Sequence, residues 1–340
     1  MPHSLRDNVR LNLAKEEYCE LALSPRTRAS YATGVNTFAT FCTMHNINFL
    51  SGNWIGLEDI MVYFVCFCAN IRHLAYATIK SYLAGVRNYC IAHNFEYPYI
   101  KTNGQPMLQL QLVLKGIKKA RLPKSILRLP VTAMIMEKLF LVLDGRAFGT
   151  YNDKLMRAAI TMAYFGFLRC GEFTTLTNDF DAETNLCLGD VSISSTDLNE
   201  AFIILKASKT DPFRCGHTIP YFKVECIFCP VKALSEFVTE RSKFARDLTA
   251  PLLLFHDYSH LTRTKFLHML HETCAQGGIN GAGFLGHSFR IGAATTCAKR
   301  GVADHLIQSL GRWKSDCYKT YVHVAKSSIR EAHIRMAVTD

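Results

Sequence analysis

The sequence lacks any apolar run that could span a bilayer: its most apolar stretch, residues 60–69, is ten residues long, against the roughly 20 that a membrane helix needs. No membrane partner is expected. The first 18 residues are polar and hold no apolar signal core, so the expectation is a soluble, intracellular protein, nuclear if eukaryotic and otherwise cytoplasmic. No internal repeat or low-complexity tract is present. A disulfide framework is also missing. The 13 cysteines are odd in number and scattered through apolar segments such as Val65-Cys66-Phe67-Cys68, the pattern of buried, reduced thiols. Acidic residues are scarce relative to basic ones, 28 against 39, which leaves a formal charge of +11. Such an excess favours a polyanionic partner, nucleic acid above all.

What is present fits a two-domain globular protein. The chain of 340 residues is long for one small core, and its 49% hydrophobic content is enough for proper cores. Ser24-Pro25 opens a helix, with Ser as N-cap and Pro in the first turn. A second helix is expected over residues 58–69. A third covers 77–93, where Ile79, Tyr82, Leu83, Val86 and Cys90 form one apolar stripe while Lys80 and Arg87 point elsewhere. A fourth follows Pro106. No strand is expected before residue 131.

Residues 115–128 then carry Lys115, Lys118, Lys119, Arg121, Lys124 and Arg128 without one acidic residue, and Pro123 and Pro130 interrupt the pattern. This stretch divides the chain into residues 1–125, an all-α domain, and 126–340, a mixed α+β, mainly helical domain with a small antiparallel sheet. It reads either as a solvated linker or as a basic strap that neutralises phosphates. Lys80 and Arg87 are further candidate DNA contacts. In the second domain helices are expected over 132–143, 153–168, 231–246, 263–277, 287–300, 303–310 and 327–336. Strands are expected over 186–194, 201–207 and 217–222.

The chemistry concentrates near the C-terminus. His287 and Arg290 lie three apart, on one helix face, and Trp313, Tyr318 and Tyr321 follow within a short stretch. Cleaving a phosphodiester without a metal takes a nucleophile, cations for the non-bridging oxygens, an acceptor for the nucleophile's proton and a donor for the leaving alkoxide. A tyrosine, an arginine and a histidine supply part of that set. One competing constellation, Cys215, His217, Cys226 and Cys229, contains a C-x-x-C pair of the kind that binds zinc. Its spacing matches no familiar zinc module, and Cys229-Pro230 reads as a helix start, so packed thiols and no metal are expected.

The motifs as they stand resemble those of the tyrosine recombinases (integrases), particularly the versions carried by eukaryotic mobile elements. Gly166-Phe167-Leu168-Arg169-Cys170-Gly171-Glu172 is similar to the family's first arginine box, and Gly286-His287-Ser288-Phe289-Arg290, followed by Ile291-Gly292-Ala293-Ala294, to its second. The resemblance covers residues 132–324 and, more weakly, the helical domain before them. It implies that Arg169 and Arg290 clamp the scissile phosphate, with Glu172 in support, and that His287 handles the tyrosine proton.

Lys209, at the tip of Leu205-Lys206-Ala207-Ser208-Lys209-Thr210-Asp211, is then the acid that protonates the leaving 5′ oxygen, ahead of Lys206, which is expected in the strand. Trp313 stands where many members have a second histidine; indole donates a hydrogen bond but moves no proton. Tyr321 is the implied nucleophile, eight residues after Trp313 and one closer than is common, with Tyr318 the alternative. The implied activity is site-specific strand cleavage and rejoining through a 3′-phosphotyrosyl intermediate, needing no cofactor and no metal. The implied assembly is a homo-tetramer on two double-stranded DNA sites, monomeric or dimeric without DNA, with residues 327–336 docking onto a neighbour. The rival functions are a domesticated, inactive DNA-binding protein and a type IB topoisomerase.

Overall fold

A computed structural model describes residues 7–49, 56–93, 95, 98–100, 104–121, 128–194, 199–208, 211, 213–322, 333 and 336. The chain divides into two compact units, Met1–Ser125 and Ile126–Asp340.

Among its described residues the regular structure of the first unit is helical, apart from an isolated bridge between Ile100 and Pro106. Helix α1 (Val9–Leu21) opens at Asn8, whose side chain accepts from the Leu11 N–H. It buries none of its residues, so no apolar stripe marks it in the sequence. Helix α2 (Pro25–Met44) starts as its Ser-Pro cap requires, Ser24 accepting from the Thr27 N–H. Helices α3 (Leu57–Asn70), α4 (Tyr76–Ala92) and α5 (Leu108–Ala120) complete the unit. Helices α2 and α4 approach closely because each offers a glycine: a Cβ on Gly34 would lie 2.6 Å from the Tyr82 Cα, and one on Gly85 2.7 Å from the Tyr31 carbonyl oxygen. The core is aromatic where α3 meets α2, Phe64 packing on Phe38 and Phe41 with ring centroids 5.0 and 5.6 Å apart. Glu58 of α3 accepts the Gln109 N–H at 2.8 Å, satisfying one orphan donor of α5.

The second unit is built around α7 (Thr150–Phe165), which buries residues on nearly every side. Against it pack α6 (Ala133–Asp144), α9 (Pro230–Arg241) and α11 (Ser288–Lys299). Between α7 and α9 the chain forms the short helix α8 (Cys170–Phe173) and a three-stranded antiparallel sheet in the order β1 (Val191–Ile193), β2 (Glu200–Leu205), β3 (His217–Phe222). Ile203 pairs with both Val191 and Ile219. Ala201, Ile203 and Leu205 bury one face of β2, and the Tyr221 hydroxyl donates to the Met162 carbonyl, tying β3 to the end of α7. Helices α10 (Arg263–Gln276) and α12 (Asp304–Leu310) and a 3₁₀ turn, Asp316–Tyr321, follow.

The architecture is therefore a helical unit followed by a mainly helical one with a small antiparallel sheet. Several boundaries differ from the sequence expectation. Helix α7 ends at Phe165, not 168, because Gly166 caps it and Phe167 takes a left-handed φ of 48°. Helix α9 ends at Arg241, not 246, where the buried Arg241 guanidinium donates to the carbonyls of Ala245 and Pro251. Strand β1 is three residues long, since Leu188–Asp190 forms a 3₁₀ turn in place of strand. The helix expected over 327–336 lies outside the described residues, apart from 333 and 336. Among the described residues, no helix is long and apolar enough to cross a membrane.

Candidate active site

The left-handed turn at Phe167 reverses the chain after α7 and makes Arg169 the N-cap of α8. Glu172 closes this turn. Its carboxylate accepts from the Arg169 backbone N–H at 2.9 Å and from the Arg169 guanidinium at 2.8 Å. Glu172 is buried, yet it is not left with one partner: Arg312 Nη2 donates to it as well, at 2.8 Å, while Arg312 Nη1 donates to the Gly166 carbonyl at 2.9 Å. One carboxylate thus joins the first arginine segment to the turn after α12. Arg312 reaches it from a left-handed φ of 54°. Sequence reasoning missed Arg312; the available signal was a glycine-arginine pair beside Trp313 and a motif carboxylate that burial obliges to find counter-charges.

Arg290 lies in the first turn of α11 and has no exposed surface. Its two terminal nitrogens donate to the carbonyls of Phe167 and Gly311, and its buried Nε–H has no hydrogen-bond partner. Trp313 stacks on this guanidinium, 4.2 Å from its ring centroid, and the Tyr321 ring lies 5.8 Å away. The two rings also pack on each other with centroids 5.1 Å apart. Burial first, and then the charges of Arg169 and Arg312, bring the Arg290 pKa down to about 10. Arg290, Trp313 and Tyr321 therefore form one packed group. Trp313 has a contact that its donor chemistry did not announce, a face for the cation.

Tyr321 is the last residue of the 3₁₀ turn, and the Thr295 hydroxyl donates to its carbonyl at 3.2 Å, fixing the turn against α11. The residue is half-buried. Tyr318 lies in the same turn, also against Trp313, is buried, and donates its phenol proton to the Asp304 carboxylate, which raises its pKa.

His287 is the residue before α11 and not a member of it, at φ −110°. Its pKa is lowered, first by burial and then by the surrounding charges of Arg128, Arg290, Arg263 and Arg169. The shift favours the neutral imidazole, which is able to accept a proton, while the same cations make it a weaker base.

The remaining candidates are placed unevenly. Lys209 and Lys124 lie outside the described residues. Lys206 stands just past the end of β2, not within it, and is committed elsewhere: its ammonium bonds Asp190 at 2.7 Å and the Ala182 carbonyl at 2.6 Å. Lys115, Lys118 and Lys119 project from the last turns of α5 and are exposed, as are Lys80 and Arg87 on α4. Lys80 lies 4.8 Å over the Tyr99 ring, and Arg121 donates to Asn70. Arg128 is exposed in the second unit. Among the described residues, no three His, Cys, Asp or Glu side chains are grouped to hold a metal. Cys215 and Cys226 are exposed, while Cys229 is buried and accepts the Val224 N–H.

No protein-family model and no curated protein matches this sequence. Solved structures do match its fold. The XerH site-specific recombinase bound to palindromic difH substrate, a post-cleavage complex, aligns at a TM-score of 0.60 with 17% identity, covering 90% of this chain and 78% of that one. The XerH–difH pre-cleavage complex aligns at 0.57 and 18% identity over the same shares. The Tn1549 transposon integrase in complex with transposon right end DNA aligns at 0.51 with 14% identity, covering 83% of this chain and 85% of that one. The chain therefore has the fold of the tyrosine recombinases, at low sequence identity to these neighbours.

Proposed function

We propose that this protein cleaves and rejoins DNA strands at specific sites, with Tyr321 as the nucleophile and a 3′-phosphotyrosyl link as the intermediate. The observation that carries the reading is convergence: Arg169, His287, Arg290, Trp313 and Tyr321 come from three separate segments and meet at one place, in a fold similar to that of DNA recombinases. Tyr321 Oη attacks the scissile phosphorus while neutral His287 accepts its proton. The arginine charges oppose the negative charge that gathers on the equatorial oxygens, and planar guanidinium groups match those oxygens better than point charges do. Lys209 delivers the proton that the leaving 5′ oxygen needs. The phosphotyrosyl bond keeps the phosphodiester energy, so rejoining to a second strand needs no nucleotide or metal.

In this reading the first unit, residues 1–125, binds the duplex through the basic faces of α4 and α5 and the basic run 115–128. Two sites are brought together by four copies, and the source is a eukaryotic mobile element. A second reading, DNA binding without cleavage, draws on the complete burial of Arg290, whose terminal donors are held by backbone carbonyls. A nicked suicide substrate decides between them. The strand-transfer reading expects a covalent protein–DNA adduct that EDTA does not suppress. Tight, site-dependent binding with no adduct establishes the binding-only reading, and supercoil relaxation by monomers on arbitrary sequence makes the protein a topoisomerase.

A further inference from the structure

Arg263, the first residue of α10, stands within the candidate site without having been assigned to it. Its backbone N–H donates to the Thr175 carbonyl at 2.8 Å, so the segment just after α8 fixes its position. Its guanidinium lies along Gly286: a Cβ on that glycine would sit 3.4 Å from Arg263 Nη2 and 3.5 Å from its Nε, and 2.9 Å from the Cys170 Cβ. The Gly286 carbonyl in turn accepts the Cys170 N–H at 3.2 Å. Arg263 thus occupies the groove between the first arginine segment and the second, on the flank of His287.

Three of the arginines around it hold protein acceptors, and Arg128 is exposed. Arg169 holds Glu172, Arg312 holds Glu172 and Gly166, and Arg290 holds two carbonyls. Among the described residues the half-buried Arg263 side chain has no hydrogen bond or ion pair. Four cations, Arg128, Arg169, Arg263 and Arg290, face His287, and Glu172, the acid beside them, is shared between Arg169 and Arg312. Like charges gathered in this way repel until an anion enters.

We infer that Arg263 is a phosphate-contacting residue of this site, donating to a non-bridging oxygen of the scissile phosphate beside His287. The inference rests on the strand-transfer reading above. A cation that meets the phosphate in the transition state is worth about 10²–10³ in rate. An arginine that merely covers Gly286 is worth far less, and lysine then serves as well as any long side chain.

The test uses the full chain with Arg263→Gln and Arg263→Lys, on suicide substrates carrying either the natural phosphate or a neutral methylphosphonate at the cleavage position. On the natural phosphate, Arg263→Gln is expected to slow adduct formation about 100-fold with DNA affinity nearly unchanged, and Arg263→Lys to restore part of it. On the methylphosphonate the deficit of Arg263→Gln shrinks toward nothing, because there is no charge left to meet.

A second measurement needs no activity. In an NMR titration of His287, Arg263→Gln moves its pKa up toward the ordinary 6.5, with Arg128, Arg169 and Arg290 left facing it. The same change weakens the response of that resonance to inorganic phosphate. Equal deficits on both substrates, or an unchanged His287 titration and phosphate response, overturn the assignment. Failure of the unmodified protein to form adduct, with the phosphate response still dependent on Arg263, removes the strand-transfer reading and leaves the anion contact standing.

Discussion

The two units of this protein bury different things. Among the described residues, every fully buried side chain of the first unit is apolar, from Phe38, Phe41 and Phe64 to Leu83 and Leu110. The second unit buries Asp153, Glu172, Asp211, Arg241 and Arg290 beside its apolar core. Buried charge costs free energy unless each group is paired or hydrogen-bonded, so it persists where bonds or function hold it. Arg241 illustrates the first case, its donors spent on carbonyls at a helix end. Arg290 shares that arrangement, its terminal nitrogens on the Phe167 and Gly311 carbonyls, and adds the faces of Trp313 and Tyr321, while Glu172 is held by Arg169 and Arg312. The contrast teaches where to look: the first unit has only its surface to offer a partner, whereas the second buries charged residues of its candidate site.

The largest test of that contrast is the nucleophile. Tyr321→Phe is expected to reduce adduct formation by at least about 10³-fold while DNA affinity holds, and Tyr318→Phe to leave most of it. Adduct that survives in Tyr321→Phe but vanishes in Tyr318→Phe transfers the role to Tyr318.

Next comes the apolar interior. Phe64→Ala should cost the first unit about 3–5 kcal/mol in urea unfolding, the range for emptying a packed aromatic site. A cost below about 1 kcal/mol would mean that this core is not tightly packed.

Removing Arg312 should matter somewhat less. Arg312→Ala leaves Glu172 with one cation, an expected loss of about 1–3 kcal/mol in stability, and loosens the Arg169 side chain. The double variant Arg312→Ala with Glu172→Gln should recover part of that loss, since the uncompensated carboxylate is then gone; additive losses would deny the shared clasp. The smallest effect belongs to the surface of the first unit. Changing Lys115, Lys118 and Lys119 to Gln should lower the slope of log affinity against log salt by about 0.9 for every phosphate that these lysines neutralise. An unchanged slope would remove these three lysines from the phosphate contacts, and an unchanged slope with all six basic residues of 115–128 neutralised would make the stretch a linker.

Much of this architecture is legible along the chain because the signals are local. Ser24-Pro25 starts α2 by the capping chemistry of two adjacent residues, and the stripe of Ile79, Leu83, Val86 and Cys90 identifies α4 because those side chains all go inward. Helix α1 has no such signature, because it buries nothing and so has no stripe. The early end of α7 is hidden because Phe167 is an improbable residue for a left-handed turn, a conformation that the surrounding packing imposes. Lys209, which only the resemblance singles out, lies outside the described residues.

The candidate site divides in the same way. Residue types and short spacings put His287, Arg290, Trp313, Tyr318 and Tyr321 forward, because that motif is local; Arg169 and Glu172 are singled out only by the resemblance to the recombinases. Which of them touch is a tertiary matter. The sharing of Glu172 between Arg169 and Arg312, the stacking of Trp313 on Arg290, and the placing of Arg263 against Gly286 each join segments separated along the chain. No local pattern encodes such pairings. They arise when packing brings the segments together and burial obliges each charge to find a partner.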